Sequence, residues 1–387
     1  MNPDPLTALD PDLFGPFNGS TWLNAAHQGP LPQAAAAMAL EMVAQKQAPA
    51  TLPDESFFQL PARLRASLGR LIGAPADEVI LANSTSYGLD LLAHGLDLKA
   101  GDEVLLVDGD FPATITPWLI LEPLGVRVRR LTPEQRPLCA EQVAREITPA
   151  TRALCCSWAF SLTGETIDPA AIGQVCRQRD VTFVLNGSQA VGAQPVDVSA
   201  MGIDALVSCG FKWLCGPYAT GFCWLTPELR ERLTYRQAYW LTQMHGTDLS
   251  VEIPDCIRDD QHAEQYDVFC TANFLNFAPW LASIELLLGI GIDHIASHDQ
   301  RLVQQIINAV EGTSWRLVSP SRPGERSTLV LLEHNDPAVT QATAHALANE
   351  GISIAQRAGR LRFSPHLYNT PAEIENAMEI VITHTPT

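Results

Sequence analysis

The stretch TFVLNGSQAVGAQPVDVSAMGIDALVSCGFKWLCGPYATGFCWL, residues 182–225, decides how the rest of the chain is read. It contains two short apolar, β-rich runs, TFVLNG near Val184 and ALVSCG near Val207, and a third, GFCWL at Phe222, whose direction the sequence leaves open. Apolar runs of this length bounded by turn residues read as buried strands. Working upstream, EVILAN near Leu81, DEVLLVD near Leu105, VRVRRL near Val128 and ALCCSWA near Cys155 have the same form. Helical segments separate them, among them SYGLDLLAHGL and PAAIGQVCRQR. This alternation predicts an α/β fold with a mostly parallel seven-stranded sheet, and such sheets take ligands at the loops beyond their strand ends.

Downstream the pattern changes. Residues from about 235 to 275 have weak periodicity and read as connecting and active-site loops, with aromatic stretches such as TYRQAYWLTQMHG suited to shaping a pocket. A long helical pattern, APWLASIELLLGIGIDHIASHDQRLVQQIINAVEG, is interrupted near Gly289 and Gly291. Strands in WRLVSP, STLVLLEH and GRLRFSP then alternate with two helices. The expected organisation is an N-terminal arm (1–20), a large domain (21–275) and a smaller C-terminal α+β domain (276–387).

Composition removes several classes. A net charge of −18 argues against nucleic acid and anionic membranes as partners. MNPDPLTALDPDLFGPF has no basic segment followed by an apolar one, and no apolar run has the length of a bilayer span, so a soluble cytoplasmic protein is the expectation. Nine cysteines occur without a Cys-x-x-Cys pair, which points to neither a metal site nor a disulfide framework.

Lysine usage is more informative. The chain has three: Lys46 and Lys99 in polar surroundings, and Lys212 inside VSCGFKWLCGP. Burying an ammonium group costs several kcal/mol unless it is paired or chemically consumed. A lysine held as a Schiff base with an aldehyde cofactor meets that requirement.

The block from Asn186 to Gly221 resembles the aminotransferase class V family of pyridoxal-phosphate (PLP) enzymes, which includes cysteine desulfurases, kynureninases and isopenicillin-N-epimerase-like proteins. The family pattern is Asp-x-x-Gln at a strand end, a Pro-Val-Asp stretch, then a lysine followed by Leu/Trp- and Gly-rich residues. LNAAHQGPLP, DGDFPATITPW, TANFLNF and LRFSPHLYNTPAEIE extend the likeness over almost the whole chain.

The resemblance implies PLP fold type I, with Lys212 as Schiff-base residue and acid/base at Cα. It places Gln189 on the cofactor's ring hydroxyl oxygen, Phe111 stacked on its ring, and Thr85 and Ser86 on its phosphate at a helix N-terminus. Thr271 matches a threonine that reaches the phosphate from a neighbouring subunit, which implies a homodimer with shared active sites. Arg357 matches the arginine that clamps the substrate carboxylate, whereas Arg362 is assigned a structural role. His27, Trp158, Phe160 and Ser161 fall in segments lining the substrate pocket.

Three positions depart from the pattern. Cys209 and Phe211 stand where the family often has polar phosphate ligands. Asn186 stands where the family has an aspartate that keeps the pyridine nitrogen protonated. Natural tuning, an engineered substitution and a degenerate enzyme all remain open as readings of Asn186.

The resemblance leaves the reaction on an amino acid undecided. C–S β-lyase or elimination on a cysteine-derived substrate is the first reading. Transamination, epimerisation and a decarboxylating-deaminating tailoring reaction are alternatives, and a non-catalytic PLP-binding relic is the alternative of another class. A persulfide-forming desulfurase needs a loop cysteine shortly before the carboxylate-binding arginine, and residues 333–356 contain none.

Overall fold

All seven strands expected in the first 225 residues join one sheet. The computed structural model describes residues 10–235, 237–244 and 256–384. Residues 1–9 of the expected arm, and Arg236, His245 and Gly246 of the aromatic stretch, lie outside them. In chain order the main elements begin β1 (Thr21–Trp22), α1 (Gln33–Gln47), α2 (Ser56–Ile72), β2 (Val79–Ala82), α3 (Thr85–Gly95), β3 (Glu103–Val107), α4 (Pro112–Leu119) and β4 (Arg127–Leu131). They continue with α5 (Ala140–Glu146), β5 (Thr151–Ser157), α6 (Pro169–Gln178), β6 (Thr182–Asn186), β7 (Ala205–Cys209), β8 (Gly221–Leu225) and α7 (Pro227–Arg232). The C-terminal part comprises α8 (Phe274–Ile290), α9 (Ile292–Val310), β9 (Trp315–Leu317), β10 (Val330–His334), α10 (Pro337–Asn349), β11 (Ile352–Ser353), β12 (Ala355–Arg357), β13 (Arg360–Phe363) and α11 (Pro371–Thr383).

The large sheet has the order β2-β8-β7-β6-β5-β3-β4. Only β8 runs against its neighbours, β2 and β7. Residues 210–220 are too few for the crossover a parallel pair needs, which fixes the direction the sequence left open. Successive residues of each central strand feed opposite faces. Leu105, Leu154, Cys156, Phe183, Leu185 and Leu206 pack in one core with residues of α2, α6 and α8. Val104, Leu106, Cys155, Val184 and Val207 pack in the other with α3 and α4. The outer strand β4 carries Arg127, Arg129 and Arg130, charges that discourage edge-to-edge pairing.

A four-stranded antiparallel sheet, β12-β13-β10-β9, forms the C-terminal α+β part with α9, α10 and α11. The long helical pattern breaks at Gly291, whose φ of +93° suits glycine, and α8 and α9 are bent by 81°. Among the described residues no single helix is long and apolar enough to cross a membrane. The boundary expected after residue 275 falls within the first turn of α8, whose Phe277, Trp280, Leu281 and Ile284 lie in the large-sheet core. The N-terminal segment instead reaches the C-terminal part: β1 pairs in parallel with β11, and Ala25 donates its N–H to Ser364 O.

One buried ion pair ties these parts together. His366, fully buried, donates from Nε2 to Trp213 O at 3.0 Å and sets Nδ1 2.7 Å from Asp299 Oδ2 on α9. Burial opposes the imidazolium charge, but Asp299 outweighs it and lifts the histidine to about 10. A folded-state value above the unfolded one stabilises fully below the unfolded value, about 6.5, and loses that stabilisation as pH rises through the folded value. Denaturant unfolding between pH 7 and 10 should therefore show a progressive loss of a few kcal/mol, with a smaller slope in His366→Gln. A pH-independent difference between the two proteins over that range would show that the histidine is not charged.

Candidate active site

Strands β5, β6 and β7 run parallel, and the pairing of Ser157 with Asn186 brings both to the carboxyl edge of the sheet. Beyond that edge lies a cavity of about 160 Å³ lined by Ser84, Thr85, Ser86, Phe111, Ser157, Ser161, Asn186, Ser188, Gln189, Cys209, Phe211 and Lys212, with Ala113. The sequence thus brought Thr85, Ser86, Phe111, Asn186, Gln189 and Lys212 to one place.

Lys212 follows β7 by three residues. Its Nζ is 5.5 Å from the Phe111 ring centroid and 5.9 Å from that of Phe211. No carboxylate pairs with it among the described residues, and its surroundings pull its amine below the ordinary lysine range. Burial is the main cause, with nearby Cys209 opposing and Arg362 adding to it. An amine so placed spends more time neutral and nucleophilic.

The lysine loop is held from beneath. Gly29 donates its N–H to Phe211 O at 2.8 Å, and a Cβ at Gly29 would lie 2.1 Å from Lys212 O. Trp213 Nε1 donates to Gln189 Oε1 at 2.9 Å, and Gln189 Nε2 donates to Ala26 O at 3.0 Å. Gln189 therefore borders the cavity with its orientation fixed.

Helix α3 opens at the same edge. Ser84 caps it, its Oγ accepting from Tyr87 N at 3.2 Å, while Thr85 and Ser86 occupy the first turn. Free backbone N–H groups and hydroxyls at a helix start make an anion site. Cys209 and Phe211 border the cavity without adding such donors.

The remaining expected residues are more dispersed. Phe160 is buried under the Arg136 guanidinium, 5.9 Å from its ring centroid, and Trp158 is buried beside it. Thr271 is buried in a separate groove with Phe57, Arg65, Leu241 and Glu264. His27 is exposed; burial lowers its basicity first, followed by Arg357, Arg362 and Lys212, so it faces three cations.

The two arginines differ in burial. Arg357 ends the outer strand β12, exposed, with Nη1 on Gln356 O at 3.1 Å. Arg362 is 2% exposed and sets Nη1 2.7 Å from Ser161 Oγ, at the cavity wall. Its Nε is buried without a partner among the described residues, and burial, then Arg357, pulls its guanidinium down to about 10. A buried, half-satisfied guanidinium is a ready hydrogen-bond donor to a carboxylate.

Sequence reading missed Ser157, Ser188, Thr114 and Asp110. Ser157 was the most accessible of these, since it ends a strand beside Asn186.

An unpaired amine beyond parallel strand ends, a ring beside it and an anion-binding helix start suit pyridoxal phosphate, and define a fold-type-I PLP site. The aminotransferase class-V family profile matches residues 46–376. A probable cysteine desulfurase of Methanothermobacter thermautotrophicus is 24% identical over 80% of each chain. Isopenicillin N epimerase of Amycolatopsis lactamdurans is 26% identical over 93% of this chain and 94% of its own. The cystine C–S lyase C-DES, solved with its product cysteine persulfide, superimposes with a TM-score of 0.84 at 21% identity, covering 95% of this chain and 98% of its own. The chain belongs to the aminotransferase class-V family, and is a PLP-dependent enzyme.

Because a Cβ at Gly29 would collide with Lys212 O, Gly29→Ala should push the lysine loop outward. Overpacking of about 1–3 kcal/mol corresponds to cofactor affinity weakened by roughly 5- to 150-fold, measured by absorbance titration of the apoprotein. Unchanged affinity in a folded variant would show that the loop yields freely.

Proposed function

We propose that the protein is a C–S β-lyase that cleaves a cysteine-derived amino acid, with Arg362, rather than Arg357, holding the substrate α-carboxylate. The observation that carries this reading is the placement of Arg362 and Lys212 about one cavity, the first with an unpartnered buried Nε and the second with an unpaired amine. Bound pyridoxal phosphate supplies a covalent anchor for the amino group and a sink for the electrons released at Cα.

The chain's own groups supply the rest. Arg362 and Ser161 fix the carboxylate and hence the direction of the Cα–H bond. Lys212, lowered in basicity, takes the Cα proton. The Cβ–S bond then breaks with its electron pair leaving on sulfur, and hydrolysis of the three-carbon remainder gives pyruvate and ammonia. Among the described residues the cysteine at the cavity is Cys209, fixed at the end of β7, which supports lysis over transfer of sulfur to a mobile thiol.

Epimerisation is the second reading, favoured by the 93% coverage in the match to isopenicillin N epimerase. Product identification with a panel of cysteine conjugates and other amino acids separates the two. Pyruvate with ammonia supports lysis; a D-amino acid, or a keto acid that retains the whole side chain, overturns it.

The protein is further proposed to act in the cytoplasm as a homodimer. Thr271 lies apart from its own chain's cavity, in a groove with Phe57 and Leu241, and the exposed Phe269 precedes it by two residues. Light scattering of the PLP-loaded protein should give a dimer; a monomer that still retains PLP tightly would count against it.

Losing a charge-assisted, bidentate contact of 1.5–3 kcal/mol should raise the KM of Arg362→Lys about 10- to 100-fold, with borohydride still trapping the cofactor on Lys212. Arg357→Lys should change KM less. Equal KM values for Arg362→Lys and the parent protein would reject the assignment.

A further inference from the structure

What Asn186 can offer the cavity is settled by the hydrogens around it. The side chain is 4% exposed. Its Oδ1 accepts from the Ser188 backbone N–H at 3.0 Å and from Ser188 Oγ at 2.6 Å. A backbone N–H can only donate, so the amide oxygen must face it; turning the amide over would set two donors against each other.

The neighbouring hydroxyls then follow in one direction. Ser188 has given its hydrogen to Asn186, so at 2.6 Å it accepts from Thr85 Oγ1. Asn186 Nδ2 donates one hydrogen to Thr114 Oγ1 at 2.9 Å. Thr114 Oγ1, having accepted that hydrogen, faces Ser157 Oγ at 3.4 Å, and Ser157 in turn donates to Asp110. Asp110, 6% exposed, accepts from Ser157 N at 2.8 Å, Ser157 Oγ at 2.6 Å and Phe111 N at 2.6 Å. The chain thus runs from Thr85 through Ser188, Asn186, Thr114 and Ser157 to a carboxylate. Ser157, having donated to Asp110, turns lone pairs toward the cavity. Every hydroxyl hydrogen on this path is committed. The second hydrogen on Asn186 Nδ2 has no acceptor among the described residues, and Asn186 borders the cavity.

We propose that Asn186 presents a hydrogen-bond donor to the cavity and thereby holds the pyridine nitrogen of the bound cofactor unprotonated, as an acceptor. The proposal rests on the reading that pyridoxal phosphate occupies this cavity with its nitrogen against Asn186. Ser188 and Thr114 are positioning residues: one fixes which end of the amide faces the cavity, the other takes the first hydrogen. The charged groups around the site agree with the assignment. Arg362 is a cation that disfavours a further positive charge, and the Asp110 carboxylate is separated from the cavity edge by Thr114 and Ser157.

An unprotonated ring is the weaker electron sink. It suits a reaction in which charge arriving at Cα departs at once on a sulfur leaving group.

The test uses the full-length protein reconstituted with pyridoxal phosphate carrying ¹⁵N at the ring nitrogen, without substrate. The ¹⁵N resonance should lie in the neutral-pyridine range at neutral pH and move to the pyridinium range in Asn186→Asp. A pyridinium resonance in the parent protein, or the same resonance in both, would overturn the proposal. If Asn186→Asp does not fold, the parent spectrum alone decides. Borohydride trapping keeps the two readings apart. No adduct on Lys212 removes the reading of the site itself, whereas an adduct together with a pyridinium resonance removes only the role given to Asn186.

Discussion

An amine placed beyond β7 with no carboxylate to pair with among the described residues is the constraint on which the rest of the structure depends. Left alone, such a group would draw water or a counter-ion into the sheet edge, or swing outward. It is instead confined by contacts from three remote parts of the chain. Gly29 lies against its carbonyl, Gln189 takes the indole N–H of the next residue, and His366 holds that residue's carbonyl from the C-terminal side. None of these groups supplies a negative charge to the amine. The loop is fixed through its backbone and its neighbour, so the lysine nitrogen itself is left free for covalent chemistry.

The same division between fixing and leaving free recurs along the cavity wall. Ser188 and Thr114 satisfy Asn186 at all but one hydrogen of its amide nitrogen, whereas Arg362 keeps one guanidinium nitrogen unsatisfied and buried. Unsatisfied buried donors are unfavourable in an empty site and become favourable contacts once a ligand arrives. Their distribution maps where a carboxylate is wanted and where the protein has already completed its own hydrogen bonding.

Six of the seven strands of the large sheet were legible because each is a short apolar run closed by turn residues, with both faces buried, and the outer strand β4 by its alternation of valine and arginine. Their shared end follows from the parallel order, and it was the resemblance to the class V family that placed Lys212, Asn186, Gln189, Thr85 and Ser86 together there. Helix α1 was not, because its alanine-rich sequence gives almost no contrast between faces, and α2 carries Pro61 within it. Strands β11 and β12 have two and three residues, and their existence depends on partners far away in sequence. The arginines show the limit most clearly. Arg357 and Arg362 both belong to a hairpin, but β13 lies between β12 and β10 whereas β12 is an outer strand, so Arg362 is covered and Arg357 is not. Which strand is central is a property of the sheet, and two arginines five residues apart carry no mark of it.

The pairing of β1 with β11 also has a consequence for biosynthesis. Thr21 meets Ile352, Ala25 meets Ser364, and the same N-terminal segment supports the lysine loop through Gly29. A ribosome releases that segment long before its partners. While the intervening residues are still being made, the large sheet can form but the strip beneath the lysine has nothing to anchor its other edge. Cofactor capture is thereby deferred until Ile352 and Ser364 have been made, and a chain that terminates before them is left without a completed seat for pyridoxal phosphate.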